Sequence, residues 1–488
     1  MSYVDIVSDL VENYVYCYDK KNYYSPTNKD FTIVGDNPFI WNEFLCYNFY
    51  RLDNDIFFGN QEVLPYLREN LPKKSYLRNH LDTDDKVIFT KEFHPYQGST
   101  SPLREIRETF FDVFFQNEKV LKKMRNGTFF MVIYRGWEPE LMNHKFSNDC
   151  DLTWEKLLAS VLSDYNLPHN SIIFCLSNTR GYEQEYAKHF KQDYFPKQIR
   201  PRVVWDNFLE FTCLKKTRYS PDINYNYTID EHIENLRNSD KTLLRIHRTH
   251  SFTRDLMLYY LYQRGYEKHS LIEHAYVDID SLKKFFSKDN QHSKLHGIDE
   301  HLKIFKKLKK DTPIKCSDFE NNRKLLGTSK GNKLVHEDGW SYSDTPIDSS
   351  VYSNTIFSWA STTFPEQDEM ILIGASTFAP MLNYHPILWL GNRDYIKHLK
   401  SFGYKSFDWL FDESYDDETA DWSDKSWKKM INQVEQLDKI MSMDRDKLID
   451  IVEKNKDTLQ HNRDLLFECK SIERILTKLH GVINETKL

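Results

Sequence analysis

The chain has 488 residues, of which 40% are hydrophobic, so it is long enough for two or three domains with sizeable cores. Its formal net charge is −7, which excludes a chain that is basic throughout, although a local basic groove stays open. The seven cysteines are dispersed without a C-x-x-C pair, no window approaches the roughly 18 apolar residues of a membrane span, and the first residues lack a signal-peptide pattern. We therefore expect reduced thiols, no structural zinc and a cytoplasmic protein.

Residues 1–84 are aromatic and rich in Asn and Asp, and we interpret them as an N-terminal extension that caps the main body. From residue 85 to residue 235, strand-like apolar runs alternate with amphipathic helices, which is typical of a Rossmann-like domain with a parallel sheet. The predicted strands are Lys86–Thr90, Thr128–Tyr134, Ser171–Leu176 and Arg202–Trp205, and the predicted helices are Arg104–Lys123, Asp151–Tyr165 and Gly181–Phe190.

A polar stretch over residues 214–240 has little periodicity and is predicted to be a linker. A second Rossmann-like domain is predicted over residues 236–420, and residues 421–488 are predicted to form a helical tail. The second domain opens with the strand Thr242–Ile246 and the helix Thr253–Arg264. A strand, turn, helix, strand unit follows at Met370–Ile373, Ala375–Thr377, the segment ending near Tyr384, and Pro386–Leu390.

The predicted fold class is therefore α/β, with two Rossmann-like domains that face a cleft. Ligands of such sheets bind beyond the carboxyl ends of the strands, where helix N-termini meet anions, so the cleft suits a nucleotide-containing ligand. Three common signatures are absent, namely G-x-G-x-x-G, the P-loop G-x-x-x-x-G-K-[ST] and the G-x-S-x-G elbow. Their absence leaves dinucleotide, P-loop ATPase and α/β-hydrolase sites unsupported.

The strongest polar cluster is the basic turn Arg245–Arg254, which follows a predicted strand and opens a helix. Its guanidinium groups, together with helix N–H groups, are suited to hold a diphosphate and to neutralise charge on a leaving phosphate. The alternative interpretation is a solvated basic turn.

Two acidic positions are also placed for chemistry. Glu138 follows the predicted strand Thr128–Tyr134 at its carboxyl end, where a carboxylate can deprotonate an acceptor hydroxyl. Asp412–Asp416 is the second acidic segment. For both positions the alternative is a solvated loop acid.

Metal-binding patterns are weak in this chain. The D-x-D triplets Asp53–Asp55 and Asp278–Asp280 have the carboxylates that a divalent ion needs to bridge a diphosphate, but such triplets are common in a sequence this rich in Asp. His292, His296 and His301 lie in a loop-like stretch and are expected to be solvated. We therefore expect no metal cofactor.

Seven short motifs follow one another along the chain. They are Gly136–Glu138, Arg248 with Arg254, Thr362–Phe364, Thr377–Phe378 with Pro380, His385–Ile387 with Gly391, Gly403–Phe407, and Asp412–Asp416. In order and spacing they resemble the pattern WEG, NRR-x-R-x-HR, ETTF, TEKTFKPI, HPFI-x-x-G and G-F-x-T-F-x-x-x-x-DESYD of a group of glycosyltransferases of bacteriophages and large DNA viruses. The resemblance covers residues 85–440. That group is thought to have the two-domain GT-B architecture and is distantly similar to fucosyltransferases.

The resemblance implies a viral enzyme of the host cytoplasm that moves a sugar from a nucleotide-sugar donor to a glycan, a protein or a hydroxylated DNA base. It implies a first domain on the acceptor side, with Glu138 as the catalytic base, and a second domain that binds the donor. Metal is not required, because basic groups and helix ends supply the electrostatics. A DNA acceptor would predict a basic groove along the cleft. The implied donor-binding residues are Arg248, Arg254, Ser376, Thr377, Phe378 and Glu413.

The chain departs from the family pattern at its donor-site motifs. Ser361 replaces the glutamate of ETTF, and Ala375, Ser376 and Ala379 replace the glutamate and the two lysines of TEKTFKPI. In the family that glutamate is expected to bind a ribose or sugar hydroxyl, and the lysine a phosphate. The alternative function is therefore a non-catalytic, binding or virion-associated descendant. A third is another nucleotide-dependent enzyme, because fold alone does not determine function.

Overall fold

The structure is a computed structural model that divides into two compact units, Met1–Phe211 with Phe467–Leu488, and Thr212–Leu466. It describes residues 1–18, 62–70, 74–92, 106–135, 154–177, 201–206, 227–247, 251–274, 276–287, 298–312, 314, 325–329, 333–336, 349–362, 371, 373, 375–417 and 428–485.

The first unit is built around a six-stranded sheet in which all neighbouring strands are parallel and lie in the order β2-β1-β3-β4-β5-β6. The apolar strands are covered on both faces, as a parallel sheet requires. The elements in chain order are α1 (Tyr3–Glu12), β1 (Tyr14–Tyr18), α2 (Leu64–Glu69), β2 (Lys74–Tyr76), β3 (Lys86–Glu92), a π-helical turn (Arg107–Phe111) continued by α3 (Asp112–Phe114), α4 (Glu118–Arg125), β4 (Phe129–Arg135), α5 (Trp154–Asp164), β5 (Ile172–Ser177) and β6 (Arg202–Asp206).

The second unit holds a four-stranded parallel sheet in the order β12-β11-β7-β8 and a two-stranded antiparallel ribbon of β9 and β10. Its elements in chain order are α6 (Ile229–Asn238), β7 (Leu243–His247), α7 (Phe252–Arg264), β8 (Ser270–His274), α8 (Ile279–Ser287), α9 (Ile298–Asp311), β9 (Leu325–Ser329), β10 (Lys333–His336), α10 (Ser349–Ser353), β11 (Phe357–Ser361), α11 (Ala375–Leu382), β12 (Ile387–Leu390), α12 (Tyr395–Ser401), α13 (Lys428–Met441), α14 (Arg445–Lys454) and α15 (Lys456–Glu468).

The predicted α/β class is confirmed, because the chain forms two Rossmann-like units, each with a parallel sheet, and helices toward its C-terminus. Of the predicted strand Met370–Ile373, the structure describes Ile371 and Ile373 and does not support a strand at either residue. Ile371 and Ile373 are buried but lie outside any strand, and β11 at Phe357–Ser361 takes the place in the sheet. Serines in β11 hide it from a search for apolar runs, since Ser358 is buried through a hydrogen bond from its hydroxyl to Nδ1 of His385 (2.7 Å).

Two helix predictions also change. The predicted helix Arg104–Lys123 is interrupted, because the Asn117 side chain accepts from the N–H groups of Lys119 and Val120 and so starts a new helix, α4. The predicted linker over residues 214–240 contains α6, which begins with a capping box between Thr228 and Glu231.

The N-terminal region contributes to the first sheet itself, which differs from the predicted extension over residues 1–84. Strand β1 pairs with β2 on one side and with β3 on the other, so it is an interior strand. Its alternation of Tyr with Val and Cys lets both faces be buried, although its tyrosines made the segment look irregular.

The C-terminal helix α16 (Lys470–Ile483) belongs to the first unit. Asp206, the last residue of β6, is 1% exposed, and its carboxylate accepts hydrogen bonds from Arg474 (Nη2, 2.9 Å) and Lys478 (Nζ, 3.0 Å). A buried carboxylate with two cationic partners therefore fixes the end of the chain to the edge strand of the sheet.

Replacing Asp206 by asparagine leaves Arg474 and Lys478 facing a neutral side chain. We expect the free energy of unfolding of the first unit to fall by about 2 kcal/mol, because hydrogen bonds to charged groups contribute that much. Urea unfolding measures the change. The matched control is Asp82→Asn, whose exposed pair with Lys119 should contribute less than about 0.5 kcal/mol. Equal losses in the two variants would contradict the anchoring role of Asp206.

Candidate functional site

The carboxyl ends of three neighbouring strands of the second unit bring polar residues together. His247 ends β7, His274 ends β8 and Ser361 ends β11. His247 and His274 are direct partners in the parallel register. This edge of a parallel sheet is where Rossmann-like units bind ligands.

Arg245 is the central residue of this cluster and is 0% exposed. Its Nη1 donates to Nδ1 of His274 (3.3 Å), and its Nη2 donates to the backbone carbonyl of Arg254. Its Nε has no hydrogen-bond partner among the described residues. Burial lowers the pKa of Arg245 to about 9, against the opposing effect of the Asp255 carboxylate.

His274 and Asp255 continue the hydrogen-bond chain from Arg245. Nε2 of His274 donates to Oδ1 of Asp255 (2.9 Å), and Oδ2 of Asp255 accepts from the N–H of Asp278 (2.8 Å). Burial lowers the pKa of His274 to about 4, although the hydrogen bond to Asp255 opposes this shift. At neutral pH His274 is therefore a neutral ring between a guanidinium and a carboxylate.

Arg254, a predicted phosphate-binding residue, lies in the first turn of α7, beside the hydrogen bonds that join Arg245, His274 and Asp255. Its N–H bonds to the Ser251 hydroxyl, which caps the helix, and its Nε donates to Oγ of Ser361 (3.4 Å). The side chain is buried, with the whole residue 7% exposed, and burial lowers its pKa to about 10. Ser361 stands where the family pattern has a glutamate, so this partner brings no charge to Arg254.

His247 completes the cluster with a buried ring nitrogen that no described residue satisfies. The ring bonds to the backbone of Trp359, while Nε2 has no partner in the described part of the chain. Burial, followed by the charges of Arg245 and Arg254, holds its pKa well below 6.5, so the unpaired nitrogen is an acceptor. The hydroxyl of Thr362, directly after β11, is also buried and unpaired among the described residues.

Three other predicted donor-binding residues have partners inside the unit. The Thr377 hydroxyl bonds to the Tyr395 hydroxyl, and the Phe378 ring packs against Tyr404 at a centroid distance of 5.8 Å. Glu413 accepts from the Phe407 N–H (3.0 Å) and from Lys400 Nζ (3.1 Å). Burial raises the pKa of Glu413. No described hydrogen bond connects these three side chains to the Arg245 cluster.

The remaining predicted site residues cannot be placed by their side chains. Glu138 and Arg248 lie outside the described residues. Ser376 lies in the first turn of α11, but its side chain is also outside the description. Arg254 is thus the predicted binding residue that the structure brings to the carboxyl edge of the second sheet.

The acidic segment after α12 has a local structural use. Both carboxylate oxygens of Asp416 accept from the Ile396 N–H (3.0 Å), and Oδ2 also accepts from the Lys397 N–H (3.1 Å). Asp416 therefore satisfies the free N–H groups at the start of α12. Gly391 fits the same corner, because a Cβ added there would lie 2.6 Å from Cδ2 of Tyr395.

The candidate metal-binding residues have other partners where they are described. Oδ1 of Asp278 accepts from the N–H groups of Asp280 (3.1 Å) and Ser281 (3.0 Å) at the start of α8. His301 was expected to be solvated, but it is buried, with its ring stacked on Phe286 at 4.6 Å. Asp53–Asp55, His292 and His296 lie outside the described residues. Within the described ranges no group of three or more His, Cys, Asp or Glu is arranged to hold a metal ion.

Comparisons with protein-family models, with curated proteins and with solved structures found no match. Among the helices that the structure describes, none is both long and apolar enough to cross a membrane.

Proposed function

We propose that the chain is a glycosyltransferase that binds the diphosphate of a nucleotide-sugar donor at the carboxyl edge of the second sheet. One observation carries this proposal. Among the described residues, the hydrogen-bonded cluster at that edge contains the guanidinium group of Arg245 and the carboxylate of Asp255, and the guanidinium group of Arg254 lies close enough to Arg245 to lower its pKa. The lowered pKa of His274 leaves that residue neutral at pH 7. Two guanidinium groups at the carboxyl ends of parallel strands are suited to bind the oxygens of a diphosphate.

Two features favour a nucleotide sugar over inorganic phosphate. The cluster lies at the strand ends of a Rossmann-like unit, where nucleotides bind in open α/β sheets. The unpaired Nε2 of His247 is an acceptor beside the arginines and therefore suits a ribose or sugar hydroxyl. The resemblance to viral glycosyltransferases adds the expectation of a sugar donor.

In the proposed reaction the bond between the anomeric carbon and the diphosphate oxygen breaks, and the acceptor oxygen forms the new bond to that carbon. The acceptor proton passes to a carboxylate base, for which Glu138 is the sequence candidate. Arg254 and the Arg245 cluster stabilise the negative charge that stays on the leaving diphosphate. The proposed acceptor is a glycan, a protein or a hydroxylated DNA base.

The test is a thermal-shift panel of nucleotide sugars and nucleoside diphosphates on the full chain, followed by an assay for hydrolysis of the sugar. A ligand at one hundred times its Kd should stabilise the protein by about 2.7 kcal/mol. We expect one nucleotide class to raise Tm in the wild type and to lose this effect in Arg254→Gln. Arg237→Gln is the control, because Arg237 lies on the surface in a pair with Glu453.

Each outcome of this panel decides between the functions. Stabilisation together with slow hydrolysis of the matching nucleotide sugar supports the transferase. Stabilisation without hydrolysis of the nucleotide sugar and without transfer to any acceptor favours the non-catalytic descendant. The replacement of the family's charged pair by Ala375 and Ser376 supports that alternative. No stabilisation by any nucleotide overturns the proposal.

A further inference from the structure

Helix α9 has one face that is buried within the second unit. Four residues at helical spacing form this face, and the rings of two of them contact α7 and α8. The His301 ring lies 5.8 Å from the Tyr259 ring of α7, and the Phe305 ring lies 6.1 Å from the Phe286 ring of α8. The buried residues are His301, Ile304, Phe305 and Leu308.

The opposite face of α9 is a row of exposed lysines. At about 100° per residue, Lys303, Lys306 and Lys310 lie across from the buried face together with Asp299, and Lys307 and Lys309 lie at the two flanks. Lys307 pairs with Glu267 (2.5 Å). No other lysine of this row has an ion pair with a described residue. We call Lys303, Lys306 and Lys310 the lysine face.

The spacing of the lysine face fits a regular array of phosphates. Lys303 and Lys310 are seven residues apart, which is about 10 Å along a helix axis. A strand of double-stranded DNA carries one phosphate per about 3.4 Å of axis, so this length spans about three phosphates. The chain as a whole has a net charge of −7, so this positive face is a local exception rather than a consequence of composition.

An anionic membrane is the main rival partner, and the helix does not suit it. Helices that bind a membrane surface insert an apolar face between the headgroups. The apolar face of α9 already packs inside the unit, and Leu302, at 43%, is its one strongly exposed apolar residue. The exposed surface of α9 is therefore positively charged and has little apolar area. Such a surface favours a rigid polyphosphate as the partner.

We propose that the lysine face binds the phosphate backbone of double-stranded DNA. Contacts of this kind position a duplex without reading its sequence. Where the proposal identifies the acceptor as a hydroxylated base of that DNA, it rests on the proposed transferase function. The binding surface itself does not depend on that function.

The test measures binding of a fluorescent 20-base-pair duplex to the full chain by anisotropy at several salt concentrations. Three phosphate contacts, from Lys303, Lys306 and Lys310, predict that log K falls with log[salt] at a slope of about −2.7. The triple variant K303Q/K306Q/K310Q should remove most of this slope and weaken binding at 0.1 M salt by at least about 100-fold. The control K439Q/K447Q/K454Q removes the same charge from exposed lysines of α13 and α14.

Equal weakening by the two triple variants would overturn the lysine face as the binding surface. Binding to phosphatidylserine vesicles without binding to the duplex would assign the face to a membrane instead and also overturn the proposal. The nucleotide panel keeps the two proposals separable. Nucleotide binding without duplex binding removes this inference alone, and duplex binding without nucleotide binding removes the transferase alone.

Discussion

Acidification from pH 7.5 to pH 5.5 is expected to lower the free energy of unfolding of the second unit by about 5 kcal/mol. Four buried histidines of that unit have pKa values well below 6.5, the usual value for an exposed histidine. The pKa is about 4 for His274 and about 3 for His385, and it is strongly lowered for the other two. Burial is the largest cause in each case. The four residues are His232, His247, His274 and His385.

The sign follows from the direction of the shifts. Below pH 6.5 the unfolded chain binds a proton at each of these histidines, whereas the folded unit does not until much lower pH. Their contribution to stability is therefore complete above pH 6.5 and is lost as the pH falls toward the folded pKa values. Each histidine contributes a slope of up to about 1.4 kcal/mol per pH unit. Because four act together, the loss is large beside a typical stability of about 5–15 kcal/mol.

The contacts of these histidines explain why protonation is excluded in the folded unit. In His385, Nδ1 bonds to the Ser358 hydroxyl (2.7 Å) and Nε2 bonds to the Thr355 carbonyl (2.8 Å), with no carboxylate among these partners. His232 bonds through Nδ1 to the Tyr227 hydroxyl (3.2 Å), and the charge of Arg463 further lowers its pKa. The pKa values of Glu413 and Asp416 are raised, so these carboxyl groups increase stability as the pH falls. Their effect is felt mainly at pH values nearer 4.5 and 3.8, the ordinary pKa values of Glu and Asp.

The measurement is urea unfolding followed by fluorescence at half-unit steps from pH 7.5 to pH 5.5. The His232→Gln variant should lose about one quarter of the pH dependence. The exposed His269 is the control, and His269→Gln should keep the full dependence. A free energy of unfolding that stays constant over this interval would contradict the buried, neutral state of the four rings.

The second large effect is expected for Asp255→Asn, which should lower the free energy of unfolding of the second unit by about 3–5 kcal/mol. Asp255 is 0% exposed and accepts from His274 and from the N–H of Asp278. Its charge is the main opposing influence on the lowered pKa of Arg245. Removing that charge leaves a buried guanidinium without its compensating carboxylate.

Urea unfolding at pH 7.5 measures this loss, with Asp278→Asn as the control. Asp278 caps α8 from a partly exposed position, so its replacement should cost about 1 kcal/mol or less. In the double variant Asp255→Asn with Arg245→Met, part of the loss should be recovered, because the unpaired buried charge is then absent. Additive losses in the double variant would contradict the electrostatic account.

The two α/β units could be predicted because their main signal is local. Apolar runs such as Phe129–Ile133 and Ile172–Phe174 are buried on both faces, so strand and burial coincide in the sequence. Strand β11 escaped prediction, since its serines are buried only through distant partners such as His385. Strand β1 was missed for a related reason, because tyrosines hide its apolar alternation.

The candidate site could be predicted only in part. The sequence alone predicts Arg254 as a binding residue, because a strand, a basic turn and a helix follow one another there and Arg254 lies at the start of the helix. The chain from Arg245 through His274 to Asp255 depends on β8 lying beside β7, and residues 19 positions apart meet only in the folded unit. The available signal was that the strand Ser270–His274 has Leu271 and Ile272 in its middle and ends in two polar residues, Glu273 and His274. Thr377 and Phe378 matched a family motif, but their described contacts are internal ones.

The most direct test of the central claim is isothermal titration of the full chain with nucleoside diphosphates, UDP and GDP first. We predict saturable binding of one diphosphate per chain for at least one of them. Arg254→Gln should bind that diphosphate at least about tenfold more weakly, because a charge-assisted hydrogen bond contributes about 1.5–3 kcal/mol. If no nucleoside diphosphate binds at millimolar concentration, or if the variant binds as tightly as the wild type, the carboxyl edge of the second sheet is not a nucleotide-sugar site.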